Sequence, residues 1–149
     1  MSTGAIRRRL FWAISRTGIF LYRRLPIFGS LRASVAVIRE ADRVLVIERH
    51  DGRGISFPGG IAFPWESDAE ALRREVLEET GLHITSLDLN FRYFTAADVP
   101  CVITVFSAQA AGQVQESWEG LPCWLGVSEL RARVLPSQKP IVENIATGR

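Results

Sequence analysis

Cysteine, histidine and lysine are all scarce in this chain of 149 residues, which has two, two and one of them against 17 arginines. Cys101 and Cys123 are too few for a disulfide scaffold. They form no C-x2-C pair, so a thiolate zinc centre is not supported either. Both read as reduced, partly buried thiols of a cytosolic protein. His50 and His83 stand alone and read as structural or solvated, which leaves no imidazole cluster for a metal. Long apolar runs are missing as well. Arg16 splits the one near the N-terminus, so no stretch reaches the roughly 18–20 residues that cross a bilayer as a helix. No small-residue cleavage site follows it, and a secretory signal is not expected. The arginine excess says more about genome composition than about function. The chain has no internal repeat and no low-complexity tract.

Acid is absent from residues 1–39, which hold eight arginines, whereas residues 40–149 hold 16 acidic and ten basic residues. The net charge of +2 therefore conceals a basic extension of +8 and a mildly acidic body of −6. Residues 1–30 are expected to form a basic amphipathic N-terminal helix. Within 5–25, Ile6, Leu10, Ile14 and Leu21 fall near one stripe, among six arginines. Three readings stay open for this segment: packing on the domain or a homodimer contact, a seat on an anionic membrane surface through Phe11, Trp12, Phe20 and Tyr22, or a targeting peptide. The protein is expected in the cytoplasm, with peripheral membrane contact as one of these options.

Residues 31–149 are long enough for one domain with its own core, and 47% of the chain is apolar. Segments 32–38 and 43–49 read as strands joined at Glu40–Asp42. Segments 83–95, 99–110 and the short LPCWL also read as strands. VSELRAR reads as a short helix, and the chain from Pro136 as a terminal helix. Residues 67–80 read as the central helix. Ser67 is its N-cap with Glu70 three residues on, Gly81 is its left-handed C-terminal stop, and Ala69, Leu72, Val76 and Leu77 are its buried stripe. Strands on both sides of a helix, with a helix at the end, point to a mixed sheet between helices.

That central helix carries the chemistry. Glu75, Glu78 and Glu79 lie at i, i+3 and i+4, so three carboxylates share one patch of helix surface and repel one another. A divalent cation would remove the repulsion, and all-oxygen donors point to Mg2+ or Mn2+. Arg74 beside them is able to fix one carboxylate through a bidentate contact. The plain alternative is a solvated face laced with salt bridges. The SFPGG loop before the helix weighs against it, because Gly59 and Gly60 let the backbone approach a ligand closely.

Residues 60–82, GIAFPWESDAEALRREVLEETGL, also satisfy every fixed position of the pattern Gly-x5-Glu-x7-Arg-Glu-apolar-x-Glu-Glu-x-Gly-apolar, at Gly60, Glu66, Arg74, Glu75, Val76, Glu78, Glu79, Gly81 and Leu82. On this motif the chain resembles the Nudix hydrolases, and within them it looks most like the MutT-type nucleoside triphosphate pyrophosphohydrolases. The resemblance spans about residues 31–146. It implies an α/β/α sandwich with a mixed β-sheet and Mg2+-dependent (or Mn2+-dependent) cleavage of a diphosphate bond in a nucleotide. The substrate would be a nucleoside triphosphate or an ADP-ribose-type nucleotide.

The resemblance further implies that Glu78, Glu79 and the carbonyl of Gly59 hold metal and that Glu75 is a ligand or the general base. Glu119 falls where that branch has a further metal-binding or catalytic glutamate. Phe57 falls near the base pocket, and Gln138 where a base-reading amide is found. Arg49 and Arg53 are candidates for terminal phosphates, and Glu66 for a salt bridge to Arg74. Each has a structural alternative: Phe57 as core, Glu119 as a loop acid, Gln138 as a helix-start residue. Trp65 departs from the small residue usual before the first glutamate of the box. A nucleotide substrate is expected, and no nucleic-acid partner. The competing functions are a catalytically silent nucleotide-binding module, which would be expected to have lost the box glutamates, and a membrane-surface enzyme acting on lipid-linked diphosphates, which rests on residues 5–25.

Overall fold

The computed structural model describes residues 31–148, so the helix expected within residues 1–30 lies outside the described residues. Strand β1 (Leu31–Glu40) is buried on both faces from Ala33 to Ile38 and apolar there except at Ser34, the signature of a strand between two layers. It turns through Ala41, at φ 55°, into β2 (Arg43–Arg49). β1 then runs parallel to β6 (Cys101–Ala111), in register from Leu31 opposite Cys101 to Ile38 opposite Ala108. On its other side it pairs antiparallel with the short β4 (Gly59–Ile61). β5 (His83–Thr95) closes this half of the sheet, antiparallel to β6. β2 continues the sheet to β3 (Ile55–Ser56) and to β7 (Gly120–Gly126), both antiparallel to it.

A parallel pair needs a crossover. Here it includes helix α1 (Asp68–Thr80), whose Leu72 and Val76 pack on Ala36, Ile38, Leu45 and Phe106. On the opposite face Val35, Val37, Val46, Phe57, Ile103 and Val105 meet the C-terminal elements. These are α2 (Val127–Arg133), a 3-10 turn at Pro136–Gln138, and α3 (Lys139–Thr147), which contribute Leu130, Ile141, Val142 and Ile145. The result is the expected mixed sheet between helical layers. Among the described residues no helix is long and apolar enough to cross a membrane.

Two details differ from expectation. The segment read as one loop, ISFPGG, contributes β3 and β4, because each has a strand edge to pair with. The buried stripe of α1 is rotated. Leu77 is 42% exposed, and the face turned inward carries Ala71, Leu72, Val76, Thr80 and the carboxylate-bearing Glu79. Burial of an acid in place of a leucine is the first structural sign of a functional site.

Candidate active site

Helix α1 is anchored at its start. Ser67 Oγ accepts the Glu70 N–H at 3.2 Å while Glu70 returns a bond to the Ser67 N–H at 2.8 Å, a complete capping box. Asp68, the first helical residue, accepts from Arg32 at 2.9 Å, from Thr104 at 2.7 Å and from Arg92 at 3.2 Å, which ties the helix to β1, β6 and β5. At the other end Gly81 adopts φ 74° and its N–H reaches the Leu77 carbonyl, the left-handed stop read from the sequence. The angular position of the glutamates is therefore fixed by the sheet.

Glu79 is only 4% exposed, and its carboxylate accepts the backbone N–H of Gly59 at 2.8 Å. It also hydrogen-bonds to Glu119, which stands in the loop immediately before β7. Burial pushes Glu79 well above the usual carboxylate range, and the charges of Glu119 and Glu75 add to this against the Gly59 bond. Burial raises Glu119 too, opposed by Arg49. Of the two carboxyls, Glu79 is the more deeply buried and the more strongly raised. Glu75 is raised by burial as well, although Arg74 donates to it at 2.7 Å. Glu78, at the rim, is largely exposed and lies 3.7 Å from Arg74.

Arg74 organises the loop in front of the helix. Its Nε and Nη2 donate to the two oxygens of Glu66 at 2.7 and 2.9 Å, its Nη1 to Glu75, and its Nη2 also to the Ile61 carbonyl at 3.3 Å. Those bonds draw Glu66 down to about 2, and Glu66 also accepts the Phe63 N–H. The guanidinium lies 4.5 Å from the centre of the Phe63 ring, on which Trp65, itself 78% exposed, stacks. Glu66 is thus the structural partner that its spacing suggested. Because a lysine cannot reproduce the planar fork, Arg74→Lys is expected to lower kcat by about 10–100-fold, the usual cost of losing a group that orients a ligand. Limited proteolysis should then cut within residues 61–66; an uncut loop with wild-type kcat would contradict this role.

Glu75, Glu78, Glu79, Glu119 and the Gly59 backbone are therefore gathered at one place. No three acidic, histidine or cysteine side chains converge on a single point among the described residues. The reason is visible in Arg74, which holds Glu75 aside. The donors nevertheless suit a hard divalent ion: they are all carboxylate oxygens, two of them are buried against each other, and the cradle beside Glu75 is so close that a Cβ at Gly60 would lie 2.6 Å from its carboxyl carbon.

Arg49 flanks this group. Its guanidinium forks onto Asp51, and Glu119 and Glu79 both act on its charge. Arg53 instead pairs with Asp98 at 2.7 Å. Phe57 and Gln138 are brought together, but in the interior. The Phe57 ring belongs to the core, and the Gln138 carbonyl oxygen accepts the Phe57 N–H at 2.8 Å, which leaves only its amide N–H groups for a ligand. His50 is held by the Trp118 carbonyl and lies 3.3 Å from Glu116, while His83 is exposed. Sequence reading missed Asp51, Asp68 and Asp98. A DG pair marked the turn at Asp51, but no sequence signal shows that its carboxylate folds back on Arg49.

Comparison with known proteins gives four results. A family model described as the NUDIX domain matches residues 30–145. A "MutT-like protein" of Streptomyces ambofaciens is 30% identical over 111 residues, 73% of this chain and 71% of that one. A Bacillus subtilis (strain 168) protein, named as a candidate 8-oxo-dGTP diphosphatase, is 45% identical over 49 residues, so that the match spans only 33% of either chain. Among solved structures, the MutT NUDIX hydrolase from Burkholderia pseudomallei superposes with a TM-score of 0.71 at 20% identity, covering 78% of this chain and 98% of that one, which is a likeness of fold.

Proposed function

This chain belongs to the Nudix hydrolase family, and on that premise we propose that it is a Mg2+-dependent pyrophosphohydrolase of nucleoside triphosphates, with residues 31–149 as the catalytic unit. The observation that carries the reading is the Glu79–Glu119 carboxyl pair, buried beside the Gly59 N–H and edged by Glu75 and Glu78. A binding module has no need of four acids gathered around one buried carboxyl. The activity named for the Bacillus subtilis relative, an 8-oxo-dGTP diphosphatase, supports the substrate class.

Glu79, Glu119, Glu78 and the Gly59 carbonyl are assigned to hold the ion. When bound, Mg2+ neutralises phosphate oxygens and lowers the pKa of the attacking water. Water attacks a phosphorus of the diphosphate, a P–O anhydride bond breaks, and the released water proton passes to a base. Glu75, whose carboxyl burial pushes above the usual range and Arg74 holds in place, is either that base or a further ligand. Arg49 is assigned to a phosphate of the substrate. The free thiols of Cys101 and Cys123 suit a cytosolic enzyme, where nucleotides are found.

The test is a product assay with Mg2+ over standard and oxidised nucleoside triphosphates, ADP-ribose, dinucleotides and isoprenoid diphosphates. Release of pyrophosphate with a nucleoside monophosphate is expected. Turnover of ADP-ribose or an isoprenoid diphosphate alone would move the enzyme to another substrate class. Silence throughout, with the ion bound, would favour the module reading.

A further inference from the structure

We propose that Asp51 is a positioning residue: it fixes the orientation of the Arg49 guanidinium beside the Glu79–Glu119 pair, and so sets both phosphate capture and the access of a divalent ion to those carboxyls. This rests on the site reading above and extends it to a residue outside the box. Arg49 ends β2, and its cross-strand partner Gly120 directly follows Glu119, so the guanidinium is rooted beside the pair and both acids act on its charge. A flexible cation so placed would fold onto the two carboxyls and occupy the ground that a metal ion needs.

The fork from Asp51 opposes such a movement. Asp51, its side chain wholly buried, takes the Arg49 Nε on both oxygens at 3.1 Å and Nη2 at 2.6 Å. The carboxylate is fixed in turn by the Arg53 N–H at 3.1 Å. The turn closes on itself through Gly52 N–H to the Arg49 carbonyl and Arg49 N–H to the Gly54 carbonyl. A buried acid that spends its oxygens on one arginine and one turn N–H gives that arginine a single orientation.

The experiment uses the full chain. Asp51→Asn keeps the volume and an acceptor for Arg53 but weakens the hold on Arg49. Mn2+ binding is measured calorimetrically without nucleotide, and kcat and KM are measured separately. Asp51→Asn is expected to raise KM about tenfold and to weaken Mn2+ binding several-fold, with kcat changed less than about threefold. In an Arg49→Gln background it should add nothing, because it acts through Arg49. A folded Asp51→Asn protein with wild-type KM and Mn2+ affinity overturns the proposal, as do additive effects in the double variant. If Asp51→Asn does not fold, Asp51→Glu, which keeps the charge but shifts it by one methylene, carries the test: a raised KM with kcat little changed supports the proposal and an unchanged KM defeats it. Wild-type protein that binds no Mn2+ would bring down the site reading itself, and this inference with it.

Discussion

Glu79→Gln is expected to abolish turnover and, at the same time, to stabilise the metal-free fold. The two effects have one cause. The Glu79 carboxylate lies in an almost dry pocket, where its charge is useful only to a bound cation. A glutamine there accepts the Gly59 N–H with its carbonyl oxygen and donates to Glu119 with its amide, so every bond of the protonated acid survives. Loss of the charge that neutralises developing phosphate negativity removes several kcal/mol from the transition state, on the order of a thousandfold in kcat or more.

Stability follows the opposite course. The folded-state pKa of Glu79 is raised above its unfolded value, so its contribution is fully present at acid pH and is lost as pH rises toward that raised value. Metal-free wild type should therefore melt at a lower temperature at pH 8 than at pH 5.5, and added Mg2+ should restore the difference. Glu79→Gln should flatten that slope and gain roughly 1–2 kcal/mol at pH 8, a few degrees in Tm. Glu66, held near 2 by Arg74, is ionised across this whole range and contributes nothing to the slope. Calorimetry at several pH values, with and without a chelator, reads all of this. Wild-type turnover in the Gln variant would mean that the ion is held elsewhere.

How much of this was legible beforehand depends on where the information sits. The helix, its Ser67 cap, its Gly81 stop and the Glu66–Arg74 bridge are local, and short-range geometry fixes them. The clustering of Glu75, Glu78 and Glu79 follows from helical spacing alone. Glu119 is different: nothing between residues 80 and 119 says that its carboxyl meets Glu79, and only family resemblance suggested it. The phase of the buried stripe was wrong at Leu77 because apolarity cannot show that Glu79 is the residue turned inward. Phe57 and Gln138 were expected at a base pocket; what the fold shows is a core ring whose backbone N–H meets a buried amide, a contact that depends on how the C-terminal turn lands on β3. Asp51 was invisible, since its role depends on a loop that folds back on its own strand.

The neighbouring glycines of the loop separate fold from chemistry in a second experiment. Gly59 has φ 143°, and a Cβ there would lie 2.1 Å from the Ser34 carbonyl oxygen and 2.8 Å from the Val35 Cα. Both are backbone atoms of β1, the central strand, and neither can yield without breaking the sheet. Gly59→Ala is therefore expected to cost about 3 kcal/mol or more. Gly60 lacks that constraint on φ, and the atoms nearest its added Cβ would be those of the Glu75 carboxyl group, 2.6 to 3.0 Å away. A side-chain end can swing aside, so Gly60→Ala should lose about 1 kcal/mol or less of stability. The swing, however, displaces Glu75 from the 2.7 Å bond to Arg74, and kcat should fall about 10–100-fold. Melting curves and turnover for both variants decide the matter. A Gly60→Ala enzyme with full kcat would show that turnover does not depend on where Arg74 holds Glu75, and the base or ligand role would pass to Glu78 or Glu119.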